Sequence, residues 1–422
     1  MAEKLNAILK NYVAEGTSTK DKLLGAAFVV VSKHGIIYQG SAGRTRVDPA
    51  SPPFTPSSIC WGASMTKLFT TLTLLHLVER GGQLTLDEDL RPRVPELASL
   101  PILKGFATAA DGQNPDKKEG EPLLESYDAP MTLRHLLTHT AGLGTDVADP
   151  DLMRWSAWVG RTANVGSCTL EGWTAPLRFA PGEGWYYGTG PDWAGQVLKR
   201  VTGQRLGEYM GEHVLRPLGI DERSTGFYVN RLVSKEEGGW DERYVPTAER
   251  DGETGLLKEL PNPVFPVEPQ CESGGAGLYT NAADYGRVMQ EVLRVLAGEK
   301  GIVSMGTVRE MFRPQLNDKQ REWLRGIVWT FGSAAEIPEG APVDYGIGGV
   351  MNLEDVEGKR RHGSMSWSGM CNSRWWIDPE TGIGAAMFVN VIPYMDPTVL
   401  RMYEELERAV YAELIPSWQA SK

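Results

Sequence analysis

The chain has 422 residues, of which 41% are hydrophobic, and it carries a formal net charge of −11. This length and composition indicate a globular protein with room for two or three domain-sized units. The acidic balance leaves no basic face for a phosphate backbone, and no segment is long and apolar enough to span a bilayer, so we expect neither nucleic acid nor membrane as a partner.

The first predicted elements are a helix, a hairpin and a second helix. Apolar residues recur at helical spacing from Leu5 to Val13. Residues 26–32 and 36–40 are β-rich runs joined by a short polar segment, which predicts a hairpin. After a proline-rich loop, apolar residues at helical spacing predict a helix that begins near Ser64 and ends near Gly82.

The middle of the chain, residues 84–265, has short helical patterns separated by many prolines and glycines. The clearest of these patterns cover residues 133–137, 193–201 and 206–214. We therefore expect this region to be mostly helical and rich in loops.

Strand patterns return near the C-terminus and are followed by a closing helix. The predicted strands cover residues 364–370, 373–377 and 384–392, with a turn between the last two at residues 378–382. An amphipathic helix then extends to Leu414.

The order of these elements predicts an α+β fold in which both ends of the chain build one antiparallel sheet flanked by helices. We expect residues 1–85 and 266–422 to form a discontinuous α/β lobe and residues 86–265 to form an inserted, mostly helical lobe. The active site is expected in the cleft between the two lobes.

The candidate catalytic pair is Ser64 and Lys67, in Ser64-Met65-Thr66-Lys67. Residues three apart on a helix are neighbours, and an uncharged amine there could take the proton of a serine hydroxyl. Backbone N–H groups of the first helical turn would favour developing negative charge. The alternative is a helix-capping serine beside a solvated lysine.

A second candidate is Tyr187, in a glycine- and aromatic-rich loop that precedes a helical pattern. Its phenol could share protons with a serine and a lysine, because a nearby ammonium group favours the anionic form. The alternative is an ordinary buried tyrosine whose hydroxyl is satisfied.

The third candidate is the segment from Trp367 to Met370, in which Gly369 would let a substrate approach a strand closely. The backbone N–H groups of Met370 and Ser64 could form an oxyanion hole. A plain edge strand is the alternative.

Other common chemistries find little support. His135 and His139 lie four residues apart, but no third metal ligand is evident, so we expect no metal and no cofactor. Four cysteines without paired spacing, and a first segment without the apolar core of a signal peptide, predict a cytoplasmic protein with reduced thiols.

Taken together, these motifs resemble the serine β-lactamase and penicillin-binding-protein superfamily. Five segments match in order and cover most of the chain: Ser64-Met65-Thr66-Lys67, residues 131–143, the Tyr187 loop, the glycine-rich residues 273–278 and Trp367-Ser368-Gly369. The chain is most similar to class C β-lactamase-like esterases and acyltransferases, and in particular to the fungal lovastatin side-chain acyltransferase type.

The resemblance implies a β-lactamase/transpeptidase-like fold and an acyl-enzyme mechanism. Ser64 would be the nucleophile, Lys67 and Tyr187 the proton-shuttling pair, and the N–H groups of Ser64 and Met370 the oxyanion hole. Whether Lys67 or Tyr187 is the general base stays open at this point.

Two departures from the class C pattern bear on the substrate. Gly188-Thr189 replaces the usual Ser-Asn after the tyrosine, and Trp367 replaces the lysine that would hold a substrate carboxylate. Efficient β-lactam hydrolysis is therefore not expected. An apolar pocket lined by Trp367, Ser368 and Gly369, and also by Trp185, is expected instead.

The predicted function is that of a serine acyltransferase or carboxylesterase for ester or thioester acyl groups of small, secondary-metabolite substrates. An acyl-carrier protein is one candidate donor. The alternatives are a catalytically silent binding protein of the same fold and a weak β-lactamase.

Overall fold

A computed structural model describes residues 2–108, 118–233, 235–236, 239–332 and 334–420 of the chain. Within them the helices are α1 (Ala2–Tyr12), α2 (Thr66–Gly81), α3 (Pro95–Ala98), α4 (Leu133–Leu137), α5 (Pro150–Trp158), α6 (Leu170–Trp173), α7 (Gly190–Thr202), α8 (Leu206–Met210), α9 (Val229–Leu232), α10 (Ala282–Leu296), α11 (Met305–Met311), α12 (Asp318–Phe331), α13 (Pro397–Ala409) and α14 (Ile415–Ala420). The strands are β1 (Gly25–Ser32), β2 (Gly35–Gly43), β3 (Cys60–Trp61), β4 (Ile102–Phe106), β5 (Pro122–Glu125), β6 (Lys235–Glu236), β7 (Gly239–Trp240), β8 (Ala248–Arg250), β9 (Leu257–Glu259), β10 (Tyr279–Thr280), β11 (Val343–Tyr345), β12 (Val350–Asn352), β13 (Met365–Ser368), β14 (Arg374–Asp378), β15 (Ile383–Phe388) and β16 (Val391–Ile392).

The largest sheet of the described chain has seven strands in the order β11-β12-β13-β14-β15-β1-β2. Every neighbouring pair in it is antiparallel. The N-terminal hairpin pairs with the C-terminal strands through β1 and β15, with Ala27 opposite Phe388 and Ser32 opposite Ile383. This confirms the predicted α+β fold with one antiparallel sheet built from both ends of the chain.

Strand β1 is buried on both faces and separates two cores. Ala27, Val29 and Val31 pack in the core that includes residues of α2 and α10. The alternate residues Ala26, Phe28 and Val30 pack with residues of α1 and α13 on the other face. Helices therefore cover both faces of the sheet, which explains why β1 is a continuous apolar run.

The helix predicted after the proline-rich loop is present as α2, and its end is fixed by Gly82. Gly82 has φ of 61°, a left-handed conformation that glycine adopts without a steric penalty. The N-terminal helix and hairpin are also confirmed. The predicted closing helix is α13 followed by a π-helical turn at Val410–Leu414.

Several predicted elements differ in detail. The middle region holds the short strands β4 to β9 in addition to its helices, and residues 384–392 form β15 and β16 in place of one strand. The glycine-rich residues 273–278, one of the five matched segments and expected as a strand, contain a turn before β10. Strands β11 and β12 were not predicted, because three residues are too few for a periodic pattern to emerge.

The proposed boundaries of the two lobes stay a prediction. Strand β8, within residues 86–265, pairs in parallel with β16 near the C-terminus, so these two parts of the chain share a small sheet. Among the described helices, none combines the length and apolarity that crossing a membrane requires.

Candidate active site

Ser64 lies in a 3-10 turn, Ala63–Met65, directly before α2, whereas the sequence placed it inside the helix. Lys67 is in the first turn of α2, and its side chain is buried with the rest of that turn. Ala63 has φ of 45°, a left-handed conformation that costs a residue other than glycine about 1–3 kcal/mol. The backbone that presents Ser64 is therefore strained.

Ser64, Lys67 and Tyr187 meet at one oxygen atom. The Ser64 Oγ accepts a hydrogen bond of 3.1 Å from Lys67 Nζ and one of 2.7 Å from the Tyr187 hydroxyl. Lys67 Nζ also donates to the Gly275 carbonyl oxygen over 2.8 Å and lies 4.6 Å from the centroid of the Tyr187 ring. Two proton-transfer groups are thus within hydrogen-bond reach of the candidate nucleophile.

The loop that carries Tyr187 and the start of α7 pack directly against α4 and the segment that follows it. A Cβ atom on Gly188 would lie 2.0 Å from the Leu143 carbonyl oxygen, and one on Gly190 would lie 2.2 Å from the Leu136 carbonyl oxygen. Both distances are far inside van der Waals contact. This packing gives a physical reason why glycine, and not the serine of class C enzymes, follows Tyr187.

Two residues predicted to bind substrate have partners within the protein. Trp367 Nε1 donates a hydrogen bond of 3.2 Å to the Tyr187 hydroxyl, and the two ring centroids are 5.2 Å apart. The Ser368 hydroxyl is 2.7 Å from the hydroxyl of Tyr394. Trp367 therefore contacts the candidate proton-transfer group itself, which the sequence did not predict.

Gly369, which was expected to let a substrate approach the strand closely, packs against the turn that carries Ser64 and is not among the residues that line the cavity. A Cβ atom on Gly369 would lie 2.6 Å from the Gly62 carbonyl oxygen. The close contact brings the end of β13 beside the Ser64 turn. Met370, the next residue, is 53% exposed and lines the same cavity as Ser64.

His139, considered above only as a metal ligand, lies against Tyr187 with ring centroids 4.6 Å apart. Its Nδ1 is 3.3 Å from the backbone N–H of Gly188. Complete burial and the nearby Lys67 charge hold the pKa of His139 well below its ordinary value, so the imidazole is neutral. His139 lies beyond the end of α4 and has φ of 59°, so it does not share one helix face with His135, whose Nδ1 accepts from the backbone N–H of Thr132.

A mainly apolar cavity of about 500 Å³ opens beside Ser64. Its aromatic and aliphatic lining comprises Trp61, Ala63, Val147, Ala148, Val165, Trp185, Tyr186, Tyr187, Phe265, Ala276, Ile327, Phe331, Trp367, Met370 and Tyr394. Trp185 is fully buried in this wall. Of the lining residues in the described chain, Lys67 alone is basic. The described lining therefore has no second basic side chain that could bind a substrate carboxylate.

Asp192 is a further residue of this wall whose chemistry the sequence did not bring out. It lies in the first turn of α7, five residues after Tyr187, and is 3% exposed.

Among the described residues, no group of three or more histidine, cysteine or acidic side chains is arranged to hold a metal ion.

Comparisons with known proteins agree with the fold. The profile of the family described as Beta-lactamase matches residues 5–407. The chain is 29% identical to a monacolin J acid methylbutanoyltransferase of Aspergillus terreus over 371 residues, which covers 86% of this chain and 84% of the relative. It is 31% identical to a lovastatin esterase of Penicillium rubens over 379 residues, which covers 87% and 90% of the two chains.

Solved structures give the same result. A mutant of simvastatin synthase from Aspergillus terreus superposes with a TM-score of 0.83 at 28% identity, covering 97% of this chain and 94% of that one. The match extends over nearly the whole length of both proteins. The chain belongs to the beta-lactamase family, among relatives that are acyltransferases and esterases.

Proposed function

We propose that the protein is a serine acyltransferase or carboxylesterase that works through an acyl-enzyme on Ser64. The observation that carries this proposal is the pair of short contacts from Lys67 and Tyr187 to the Ser64 Oγ, at the wall of an apolar cavity. A serine hydroxyl is a weak nucleophile until a neighbouring group takes its proton. Two such groups stand within reach here.

In the acylation step, Tyr187 or Lys67 takes the proton of the Ser64 hydroxyl while Oγ attacks the carbonyl carbon of an ester or thioester. The backbone N–H groups of Ser64 and Met370 stabilise the oxyanion that develops. The carbonyl then re-forms, and the alkoxide or thiolate leaves with that proton. Ser64 is left as an ester of the acyl group.

In the second step, the same proton acceptor deprotonates an alcohol or water that attacks the acyl carbonyl, and the Ser64 Oγ leaves with the proton. Trp367 Nε1 assists both steps, because a donor to the Tyr187 oxygen stabilises the phenolate more than the phenol. Filling of the apolar cavity by an acceptor molecule would exclude water, and this favours transfer over hydrolysis.

The cavity also supports an apolar substrate. Its lining is dominated by aromatic and aliphatic groups, and it lacks the second cation that would fix a β-lactam carboxylate. Relatives are named for a methylbutanoyl transfer to monacolin J acid and for lovastatin ester cleavage. We therefore propose small secondary-metabolite esters or thioesters as substrates, with an acyl-carrier protein as a candidate donor.

The setting of the enzyme is part of the same proposal. Cys60, Cys168, Cys271 and Cys371 are free and buried, in agreement with reduced thiols in the cytoplasm. The site would lie in the cleft between the lobe of residues 1–85 and 266–422 and the lobe of residues 86–265.

The test is intact-mass spectrometry after brief exposure to p-nitrophenyl butyrate, with release of p-nitrophenol followed in parallel. A butyryl adduct should form on the wild type, map to Ser64 and be absent from Ser64→Ala. Addition of alcohols of increasing size then separates transfer from hydrolysis by the ratio of new ester to free acid.

Ser366→Ala is the matched control, because Ser366 is a buried serine of β13 whose Oγ has no hydrogen-bond partner in the described structure. This variant should form the adduct at the wild-type rate. A wild type that forms no adduct and shows no turnover would refute the acyl-enzyme proposal and favour a catalytically silent binding protein.

A further inference from the structure

Asp192 is a buried carboxylate in the wall of the active-site cavity. Its Oδ1 accepts hydrogen bonds from the Ser273 hydroxyl and from the backbone N–H of Gly275, the latter over 3.0 Å. A carboxylate without a charged partner at this depth is costly, because burial disfavours the ionised form. A positive charge nearby would offset that cost.

The nearby positive charge is the ammonium group of Lys67, to which Asp192 is linked through Gly275. The Gly275 carbonyl oxygen accepts from Lys67 Nζ, while the N–H of the same residue donates to Asp192. The glycine is required for this contact, because a Cβ atom there would lie 2.8 Å from Asp192 Oδ2. The backbone of Gly275 thus holds the carboxylate close to the ammonium group.

The other titratable groups around Lys67 do not supply a negative charge in the resting state. Tyr187 donates from its hydroxyl to Ser64, and His139 is neutral because of its burial. The buried Cys168 is the other titratable neighbour of Asp192, and its raised pKa keeps it a neutral thiol. The pKa of Asp192 is raised from its ordinary value, because the effect of burial is larger than the lowering by Ser273, Lys67 and Gly275.

We propose that Asp192 is the counter-charge of Lys67, a positioning residue that sets the protonation of the Ser64, Lys67 and Tyr187 centre. The inference rests on the acyl-enzyme function proposed above. Among the hydrogen bonds of the described residues, those of the Asp192 side chain come from Ser273 and Gly275, and none joins it to the Ser64 Oγ. It acts through the ammonium group, by stabilising the form in which Lys67 is charged.

The proposal predicts the direction in which the acidic limb of the pH–rate profile moves when the charge of Asp192 is removed. The centre must lose one proton before Ser64 can be activated, and this loss removes its positive charge. A negative neighbour opposes the loss, so Asp192 places the acidic limb of the rate profile at higher pH. Removing the charge should move that limb to lower pH by about one to two units, if the charges are several Å apart in a protein interior.

The test is Asp192→Asn, in which the amide oxygen can still accept from Ser273 and Gly275 while the charge is lost. Acylation by p-nitrophenyl butyrate is followed from pH 4 to pH 10. The acidic limb of kcat/KM should move to lower pH. If the charged ammonium group beside a Tyr187 phenolate is the working form, the plateau rate should also fall by about 10- to 100-fold.

Two further variants separate charge from structure. Ser273→Ala removes a hydrogen bond to Asp192 but keeps its charge, and should leave the acidic limb in place. Asp284→Asn alters a buried aspartate in the first turn of α10, which accepts from Ser224 and Thr225 away from the cavity, and should leave the whole profile unchanged.

A folded Asp192→Asn protein whose acidic limb does not move would overturn the counter-charge role and leave Asp192 a structural residue. Absence of acylation in the wild type would instead refute the underlying function, so the two failures are distinct. If Asp192→Asn fails to fold, Asp192→Glu provides the second measurement. This variant keeps the negative charge, so its acidic limb should lie at the wild-type pH. A shifted limb in Asp192→Glu would count against the proposal.

Discussion

The indole N–H of Trp367 donates a hydrogen bond to the hydroxyl oxygen of Tyr187, although the two residues are 180 positions apart in the chain. The same Tyr187 hydroxyl is 2.7 Å from the Ser64 Oγ. Trp367 stands where class C enzymes have a lysine. In place of a lysine for a substrate carboxylate, this chain thus has an N–H donor to Tyr187, the candidate proton-transfer group.

Replacing Trp367 with phenylalanine tests this role. The ring contact with Tyr187 is retained, while the N–H donor to a developing phenolate is lost. A hydrogen bond to a charged group contributes about 1.5–3 kcal/mol, so acylation by p-nitrophenyl butyrate should slow by roughly 10- to 100-fold. Burst kinetics give the acylation rate, and thermal unfolding checks that the fold is intact.

Trp375→Phe is the control for this substitution. Trp375 pairs directly with Trp367 across β13 and β14, and its Nε1 has no hydrogen-bond partner in the described structure. The acylation rate of Trp375→Phe should stay within about twofold of the wild-type rate, because this substitution removes no charge-assisted hydrogen bond. Equal losses in the two variants would mean that packing of the sheet, and not the N–H of Trp367, controls the rate.

Gly369→Ala should disturb the proposed oxyanion hole and also lower the stability of the fold. The new Cβ atom would lie 2.6 Å from the Gly62 carbonyl oxygen, so the end of β13 must move away from the Ser64 turn. Overpacking of this kind costs about 1–3 kcal/mol of stability, and a displacement of about 1 Å at a catalytic group costs about 100-fold in rate. Acylation kinetics and the Tm measure the two effects.

Gly211→Ala provides the comparison for Gly369→Ala, because a Cβ atom at Gly211 would meet no other atom within 4 Å. Its acylation rate should match that of the wild type. Wild-type acylation by Gly369→Ala would show that the close contact between Gly369 and Gly62 is not needed for catalysis.

The sequence predicted the fold well where the elements are long. Strand β1 and helix α2 have patterns of 8 and 16 residues, and both are where the sequence placed them. Strands β11 and β12 have three residues each and carry no periodic signal, because they are defined by pairing with distant strands. Local patterning therefore predicts long elements and misses strands that exist through tertiary contacts.

The same distinction applies to the candidate site, in which local motifs identify some residues and tertiary burial determines the properties of others. Ser64, Lys67 and Tyr187 were found from residue type and motif order, and the structure brings them together at the Ser64 Oγ. The sequence did not predict that His139 is neutral and lies against Tyr187. Its protonation depends on complete burial beside Lys67, and burial by residues far apart in the chain leaves no local signal. Asp192 was missed for the same reason.

Phe331→Ser should weaken the use of long acyl esters without affecting short ones. Phe331 is 52% exposed at the end of α12 and lines the cavity, so it can contact an apolar acyl chain while contributing little to the core. Loss of one ring contact is worth about 1–2 kcal/mol, or roughly 5- to 30-fold in kcat/KM for p-nitrophenyl octanoate. The value for p-nitrophenyl acetate should be unchanged.

Trp158→Ser is the matched change, because Trp158 is 45% exposed and is not among the residues that line the cavity. It should leave the ratio of octanoate to acetate activity as in the wild type. An unchanged ratio in Phe331→Ser would place the acyl chain away from α12.

The neutral His139 should make the folded protein sensitive to acid. Its pKa is held well below the ordinary 6.5 by burial and by Lys67, so the unfolded chain binds this proton more readily than the folded protein. The stabilising contribution is present in full above about pH 6.5 and is lost as the pH falls. The loss is about 1.4 kcal/mol for each pH unit, as long as the folded protein does not take up the proton.

His139→Asn removes this titration and suits the backbone, because His139 has φ of 59° and asparagine tolerates left-handed conformations. We would measure the unfolding free energies of wild type and variant in urea from pH 8 to pH 5. The two values should converge by about 2 kcal/mol between pH 6.5 and pH 5, because only the wild type loses the contribution of His139. The exposed His34, replaced by asparagine, is the comparison and should show no such convergence, because its side chain lacks the burial that holds down the pKa of His139. Parallel curves for wild type and His139→Asn would mean that His139 is charged in the folded protein, and Lys67 would then face a second positive charge across Tyr187.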